Sequence, residues 1–141
     1  MKIPFSPPDI TEAEINEVVA ALRSGWITTG PKVKELEEKL SKYCNTSKTV
    51  CLNSATAAEE LNFRVCGIGE GDEVIVPAYT YTATASAAIH CGAKVIFIDS
   101  QKDSTEMDYE KVAEAITERT KAIVAVDIAG IIADYDKLYE I

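Results

Sequence analysis

Asn53-Ser54-Ala55-Thr56-Ala57-Ala58 places two hydroxyls and several small residues where an apolar run gives way to a helical pattern. A helix amino-terminus offers free N–H groups and a dipole that favours anions, so Ser54, Ala55 and Thr56 could cradle a phosphate. The same residues also make an ordinary hydroxyl cap, and by themselves they leave both roles open. A second such junction, Pro77-Ala78-Tyr79-Thr80-Tyr81-Thr82-Ala83-Thr84, carries two aromatics and three threonines. Tyr81 could stack on a planar heterocycle whose substituents the hydroxyls bind, or simply pack. Asp99 and Asp127 end two further apolar runs, where each could contact a ligand or, more simply, cap the adjoining segment.

Other candidates are weaker. GIGEGD, Gly67 to Asp72, has alternating glycines, but it follows a helical pattern and precedes an apolar run, whereas a dinucleotide fingerprint has the opposite context. It reads as a helix stop and turn. His90 falls near a helix carboxyl end without a Ser or Cys partner in a triad motif. Asp134 and Asp136 fit a solvated helix start better than a metal pair. Cys44, Cys51, Cys66 and Cys91 lack a C-x-x-C spacing, so the expectation is reduced, mostly buried thiols and no metal.

The elements that must position these residues follow from periodicity. Thr11 and Glu14 form a capping box, and Ile15, Val18, Val19 and Leu22 share one helical face until Gly25. After the turn-rich SGWITTGPK, Pro31 opens a helix with the stripe Val33, Leu36, Leu40 and Tyr43. Four short apolar runs then predict strands at 49–53, 73–77, 94–99 and 121–127, with helices between them at about 55–66, 82–91 and 108–118. Gly67 and Gly92 stop the first two of these helices and Asp108 opens the third, while a last helix is expected from near Ala133 to the end. Strict alternation predicts an α/β layer of right-handed crossover units, preceded by two helices.

With 141 residues, 47% hydrophobic and 26% charged, one globular domain is expected. Twenty-three acidic against 14 basic residues, a net charge of -9, make nucleic acid an unfavourable partner. No apolar run reaches the length of a membrane span or a signal segment, which points to the cytoplasm.

Taken together, SGWITTGPKVKELEEKL, NSATAA, GIGEGDEVIVPAYTYTATASAAIHCGAKVIFID and VDIAGIIADYD resemble the DegT/DnrJ/EryC1/StrS family of sugar aminotransferases, in order and over essentially the whole chain. The resemblance implies part of the large domain of an aspartate-aminotransferase-like fold, PLP fold type I, with a mostly parallel sheet. It implies pyridoxal 5'-phosphate as cofactor, a nucleotide-linked keto sugar as acceptor, an amino-acid donor such as glutamate, a role in cell-surface polysaccharide biosynthesis, and a homo-oligomer, typically a homodimer.

By the same resemblance Ser54, Ala55 and Thr56 lie at the cofactor phosphate and Tyr81 stacks on the pyridine ring. Trp26, Ile27, Thr28 and Thr29 belong to a loop that lines the substrate site, although the loop could equally serve only to join two helices. No catalytic residue is carried over. The family's ring-nitrogen aspartate and Schiff-base lysine correspond to positions beyond Ile141, and no lysine here matches the latter, so the resemblance implies a fragment inactive alone. Glu59-Glu60 stands where the family continues with apolar residues, and Ile131-Ile132 where it commonly has a Gly-x-Pro-like turn. The alternative is a non-catalytic binding or dimerisation module derived from the fold. A third option is a small domain that binds nucleotide or sugar phosphate.

Overall fold

The computed structural model describes Pro4 and residues 6–141, which fall into two compact units, Met1–Cys51 and Leu52–Ile141. The first holds two helices. Helix α1, Glu12–Ser24, begins at the expected capping box, in which Thr11 accepts from the Ala13 N–H and Glu14 accepts from the Thr11 N–H at 2.7 Å. It ends at Gly25, whose φ of 78° is left-handed and costs glycine little. Helix α2, Pro31–Tyr43, starts with proline at its first position, where the missing N–H has no helical partner to lose. The apolar stripes expected of both helices remain largely uncovered: Val18 and Leu22 are about 60% exposed, and Leu36 and Tyr43 are exposed as well.

The second unit is built on a three-stranded parallel sheet. In chain order it comprises α3 (Ala55–Val65), β1 (Glu73–Pro77), α4 (Ala83–His90), β2 (Lys94–Ile98), α5 (Tyr109–Ala115), β3 (Thr120–Ile123), a short 3-10 turn (Ile128–Gly130) and α6 (Tyr135–Glu140). The strand order is β2-β1-β3, with Val74 opposite both Val95 and Ala122. All five residues of β1 are buried, as a central parallel strand with both faces covered requires. On one face Val74 and Val76 pack with Phe63, Ile68, Ala87 and Ala88; on the other Ile75 packs with Ile98, Met107, Tyr109 and Val112.

Four strands were expected and three form. Residues 49–53 have no strand assignment, and the Cys51 N–H donates instead to the Glu37 carboxylate at 3.0 Å. The run is apolar enough for a strand, but a strand exists only with a neighbour to hydrogen-bond, and among the described residues none pairs with it. The fourth run is also trimmed, because pairing with β1 covers only Thr120–Ile123 and is interrupted by a register shift between Glu73 and Val74. The cysteines depart from expectation too: all four are free, but Cys44 and Cys66 are exposed and Cys51 and Cys91 only half-buried.

Candidate active site

The carboxyl edge of the sheet gathers two helix amino-termini. Near their carboxyl ends α3 and α4 are tied together, the Arg64 guanidinium donating to the His90 carbonyl at 3.2 Å and the Cys91 thiol to the Glu60 carbonyl at 3.7 Å. Because α3 leads into the start of β1 and α4 follows its end, both helices run antiparallel to the sheet. Their amino-termini therefore meet the carboxyl edge, where ligands of open α/β sheets bind.

At the α3 terminus Ser54 is the N-cap. Its backbone is extended, its hydroxyl accepts from the Ala57 N–H at 3.1 Å, and its carbonyl accepts from the Ala58 N–H. Those bonds leave the Ala55 and Thr56 N–H groups without a partner among the described residues. Ala55 is exposed and Thr56 half-buried. The two roles weighed for this junction thus coexist: Ser54 caps, while the next two amides remain open to an anion.

Tyr81 lies in the loop that opens α4, its carbonyl accepting from the Thr84 N–H at 3.4 Å, and it is 79% exposed. It is therefore not a core residue. Thr82, the N-cap of α4, makes no side-chain capping bond, and Thr84 is buried. The loop of Trp26, Ile27, Thr28 and Thr29 belongs to the first unit. There the Trp26 ring lies against Gly30, where an added Cβ would come within 3.1 Å of it, a tight contact that would push the indole aside by a few tenths of an ångström.

The strand-end aspartates serve local structure. Asp127 Oδ1 accepts from the Ala133 N–H at 3.0 Å and from the Tyr135 hydroxyl at 3.2 Å, closing the turn before α6, and Asp99 accepts from the Ser100 N–H. In that turn Ala129 adopts a φ of 53°, a strained left-handed conformation for a residue with a Cβ. His90 is the last residue of α4 and its Nδ1 lies 3.3 Å from Glu60, which also pairs with Arg64; these partners hold the Glu60 carboxyl below its ordinary range, Arg64 most strongly. GIGEGD is a turn, as expected: Gly67 and Gly71 have positive φ, and the Asp72 carboxylate accepts from the Gly69 N–H. Asp134 caps α6 by accepting from the Lys137 N–H.

Periodicity gives no hint of the cluster at the opposite edge. Glu73 is 1% exposed yet charged, accepting from Arg119 at 2.8 Å, Thr117 at 2.7 Å and Lys94 at 3.1 Å. These bonds, Arg119 first, hold its carboxyl at about 2 against an ordinary 4.5. A legible signal existed: an acid opening a buried strand needs cations at the same level, and Lys94 opens one flanking run while Arg119 stands just before the other.

Comparison with known proteins places this geometry. The sequence profile of the DegT/DnrJ/EryC1/StrS aminotransferase family matches residues 8–141, and the chain belongs to that family. It is 43% identical over 139 residues to the UDP-4-amino-4-deoxy-L-arabinose–oxoglutarate aminotransferase of Shewanella sediminis, covering 99% of this chain and 36% of that protein. To the spore coat polysaccharide biosynthesis protein SpsC of Bacillus subtilis it is 40% identical, over 96% of this chain and 35% of that one. Among solved structures, the putative sugar aminotransferase Spr1654 from Streptococcus pneumoniae, determined in PMP and PLP forms, superposes with a TM-score of 0.93 at 64% identity, over 99% of this chain. The fold is thus part of a PLP fold type I aminotransferase, and the chain spans about a third of the length of the relatives it matches. Among the described residues no helix is long and apolar enough to cross a membrane.

Proposed function

We propose that these 141 residues form the amino-terminal portion of the large domain of a sugar-nucleotide aminotransferase and supply half of its cofactor cradle. The observation that carries this reading is the α3 terminus, where Ser54 caps the helix and the Ala55 and Thr56 amides have no partner among the described residues at the carboxyl edge of the sheet. A dianionic phosphate suits those donors and the helix dipole. Tyr81, exposed at the neighbouring helix opening, is available to stack on a pyridine ring. Pyridoxal phosphate, when bound, supplies an electron sink for amino-group transfer. This chain's share is to anchor the phosphate and orient the ring, with Trp26, Ile27, Thr28 and Thr29 proposed to contact the sugar nucleotide. The named relatives support a nucleotide-linked keto sugar as the acceptor class, an amino-acid donor and a cell-surface polysaccharide context. The free thiols suit the cytoplasm.

The chain alone is proposed not to turn over. Neither α3, nor α4, nor the loop Ala78–Thr82 carries a lysine that could bond to the cofactor. The test is an absorbance titration of the 141-residue chain with pyridoxal phosphate, then borohydride reduction and intact mass. The expected outcome is a saturable spectral change that Tyr81→Ala weakens, with no stoichiometric reduced adduct. A stable adduct at one lysine would overturn the inactivity, and no saturable change would overturn the cradle.

A second reading, a non-catalytic dimerisation module, is favoured by the exposed stripes of α1 and α2. It predicts a homo-oligomer by light scattering that Val18→Asp and Leu22→Asp dissociate; a monomer in dilute solution removes it.

A further inference from the structure

Helices α3 and α4 pack side by side and both run antiparallel to the sheet, so Ser54–Thr56 and Tyr81 lie at the same end of the pair. Over 55–58 and 83–88, nearest that end, every side chain is alanine, serine or threonine. Short side chains let two helices approach closely, but they raise only low ridges and resist a tilt of one helix against the other poorly.

The polar ties lie at the other end. Among the described residues, every hydrogen bond between the two helices joins Glu60 or Arg64 of α3 to the carboxyl end of α4. Glu60 Oε2 lies 3.3 Å from His90 Nδ1, and the Glu60 carbonyl accepts from the Cys91 thiol at 3.7 Å. Arg64 donates to Glu60 Oε1 at 2.6 Å and to the His90 carbonyl at 3.2 Å. Glu60 thus engages both carboxylate oxygens and its carbonyl, with its side chain only 30% exposed. A half-buried acid held by several partners keeps one geometry in a way that a single exposed ion pair does not.

A helix rises about 1.5 Å per residue, so α4 is about 12 Å long, and a tilt of about 5° at one end displaces the other by about 1 Å. A displacement of that size matters when one ligand must touch both helices at once. We propose that Glu60, Arg64 and His90 clamp α3 to α4 and thereby position the cofactor. The clamp sets the gap between the Ala55 and Thr56 amides, which take the phosphate, and the Tyr81 ring, which stacks on the pyridine. All three are positioning residues, which act at the far end of the helix pair without touching the ligand. The inference rests on the cofactor cradle proposed above.

The test is a titration of the full 141-residue chain with pyridoxamine phosphate, followed by the fluorescence of the ligand, which has no aldehyde and so cannot bond to a lysine. Glu60→Leu should weaken affinity about 3- to 10-fold while the chain stays folded by circular dichroism. Glu60→Gln keeps an oxygen for Arg64 and should hold affinity within about twofold of the parent. In a Tyr81→Ala background no ring remains to be positioned, and there Glu60→Leu should change affinity by less than about twofold. Arg64→Gln, at an exposed position, should weaken affinity in the same sense and carries the same comparison if Glu60→Leu does not fold. Equal affinity in the parent and the folded clamp variants overturns the clamp and leaves the cradle standing. So does an equal loss with and without Tyr81, or a Glu60→Gln variant as weak as Glu60→Leu. No saturable binding by the parent overturns the cradle, and the clamp with it.

Discussion

The two edges of the one sheet are finished in opposite ways. At the amino edge Glu73 is fully enclosed and both its carboxylate oxygens are engaged, by Arg119, Lys94 and Thr117 from the two flanking segments. At the carboxyl edge the Ala55 and Thr56 amides have no partner among the described residues and Tyr81 stands in solvent. An edge that closes on itself fixes strand register, whereas an edge that leaves donors open can bind something else. The contrast arises from the groups at each edge: converging side-chain charges at one, helix amino-termini with unsatisfied N–H groups at the other.

The largest expected effect should remove the support common to both edges. Ile75, fully buried in the central strand, lies in the core between them, so Ile75→Ala should cost about 2 to 5 kcal/mol by denaturant unfolding and abolish pyridoxal phosphate binding with it. Next comes the closed edge. Since the Glu73 carboxyl lies at about 2 in the folded chain and at 4.5 ordinarily, its contribution is complete above 4.5 and disappears as pH falls from 4.5 towards 2. An acid titration followed by circular dichroism should show stability lost in that window, and Glu73→Gln should lower the Tm at pH 7 while making stability less dependent on pH below 4.5. Equal slopes in the two proteins would show that the cluster does not carry the acid sensitivity. Cofactor affinity should be untouched by this substitution, provided it is measured where the variant remains folded.

At the open edge the effects on stability should be smaller and those on binding larger. Ser54→Ala removes the cap to Ala57 and should cost about 1 kcal/mol. If Ser54 only caps, pyridoxal phosphate affinity should change little in the folded variant; a fall of tenfold or more would make it a direct phosphate ligand. Tyr81→Ala should leave unfolding within about 0.5 kcal/mol of the parent, as befits an exposed side chain, yet weaken cofactor affinity about 3- to 10-fold. A large loss of stability from Tyr81→Ala would erase the distinction between the two edges.

Much of the molecule is legible without coordinates, for local reasons. Thr11 with Glu14, Pro31, Ser54, Asp108 and the glycines at 25, 67 and 92 mark helix starts and stops through bonds and dihedrals confined to a few residues. The runs at 73–77 and 94–98 form strands because continuous apolar sequence is compatible with little else in an alternating α/β chain. The candidate site residues at 54–56 and 81 are visible in the same way, since a ligand edge in such a fold lies where strands hand over to helices.

Strand pairing and the satisfaction of buried groups, by contrast, are settled by the assembled fold. Residues 49–53 have the composition of a strand, but whether they become one depends on a neighbour their own sequence does not contain. The stripes of α1 and α2 are as amphipathic as the sequence suggests, and the folded chain leaves them largely uncovered, with only Val19, Val33 and Leu40 half-buried. The adjacent acids Glu59 and Glu60 read alike in sequence. Arg64, one helical turn away, is a local partner of Glu60, but folding adds His90 to it and leaves one oxygen of Glu59 buried with no partner among the described residues. Glu73 appears as one charge before an apolar run, and three partners drawn from both flanking segments make it a buried anchor. Caps and periodicity act within one turn of the chain, so sequence determines them; burial and hydrogen-bond partners are set by residues about 20 to 50 positions away, and folding alone brings those together.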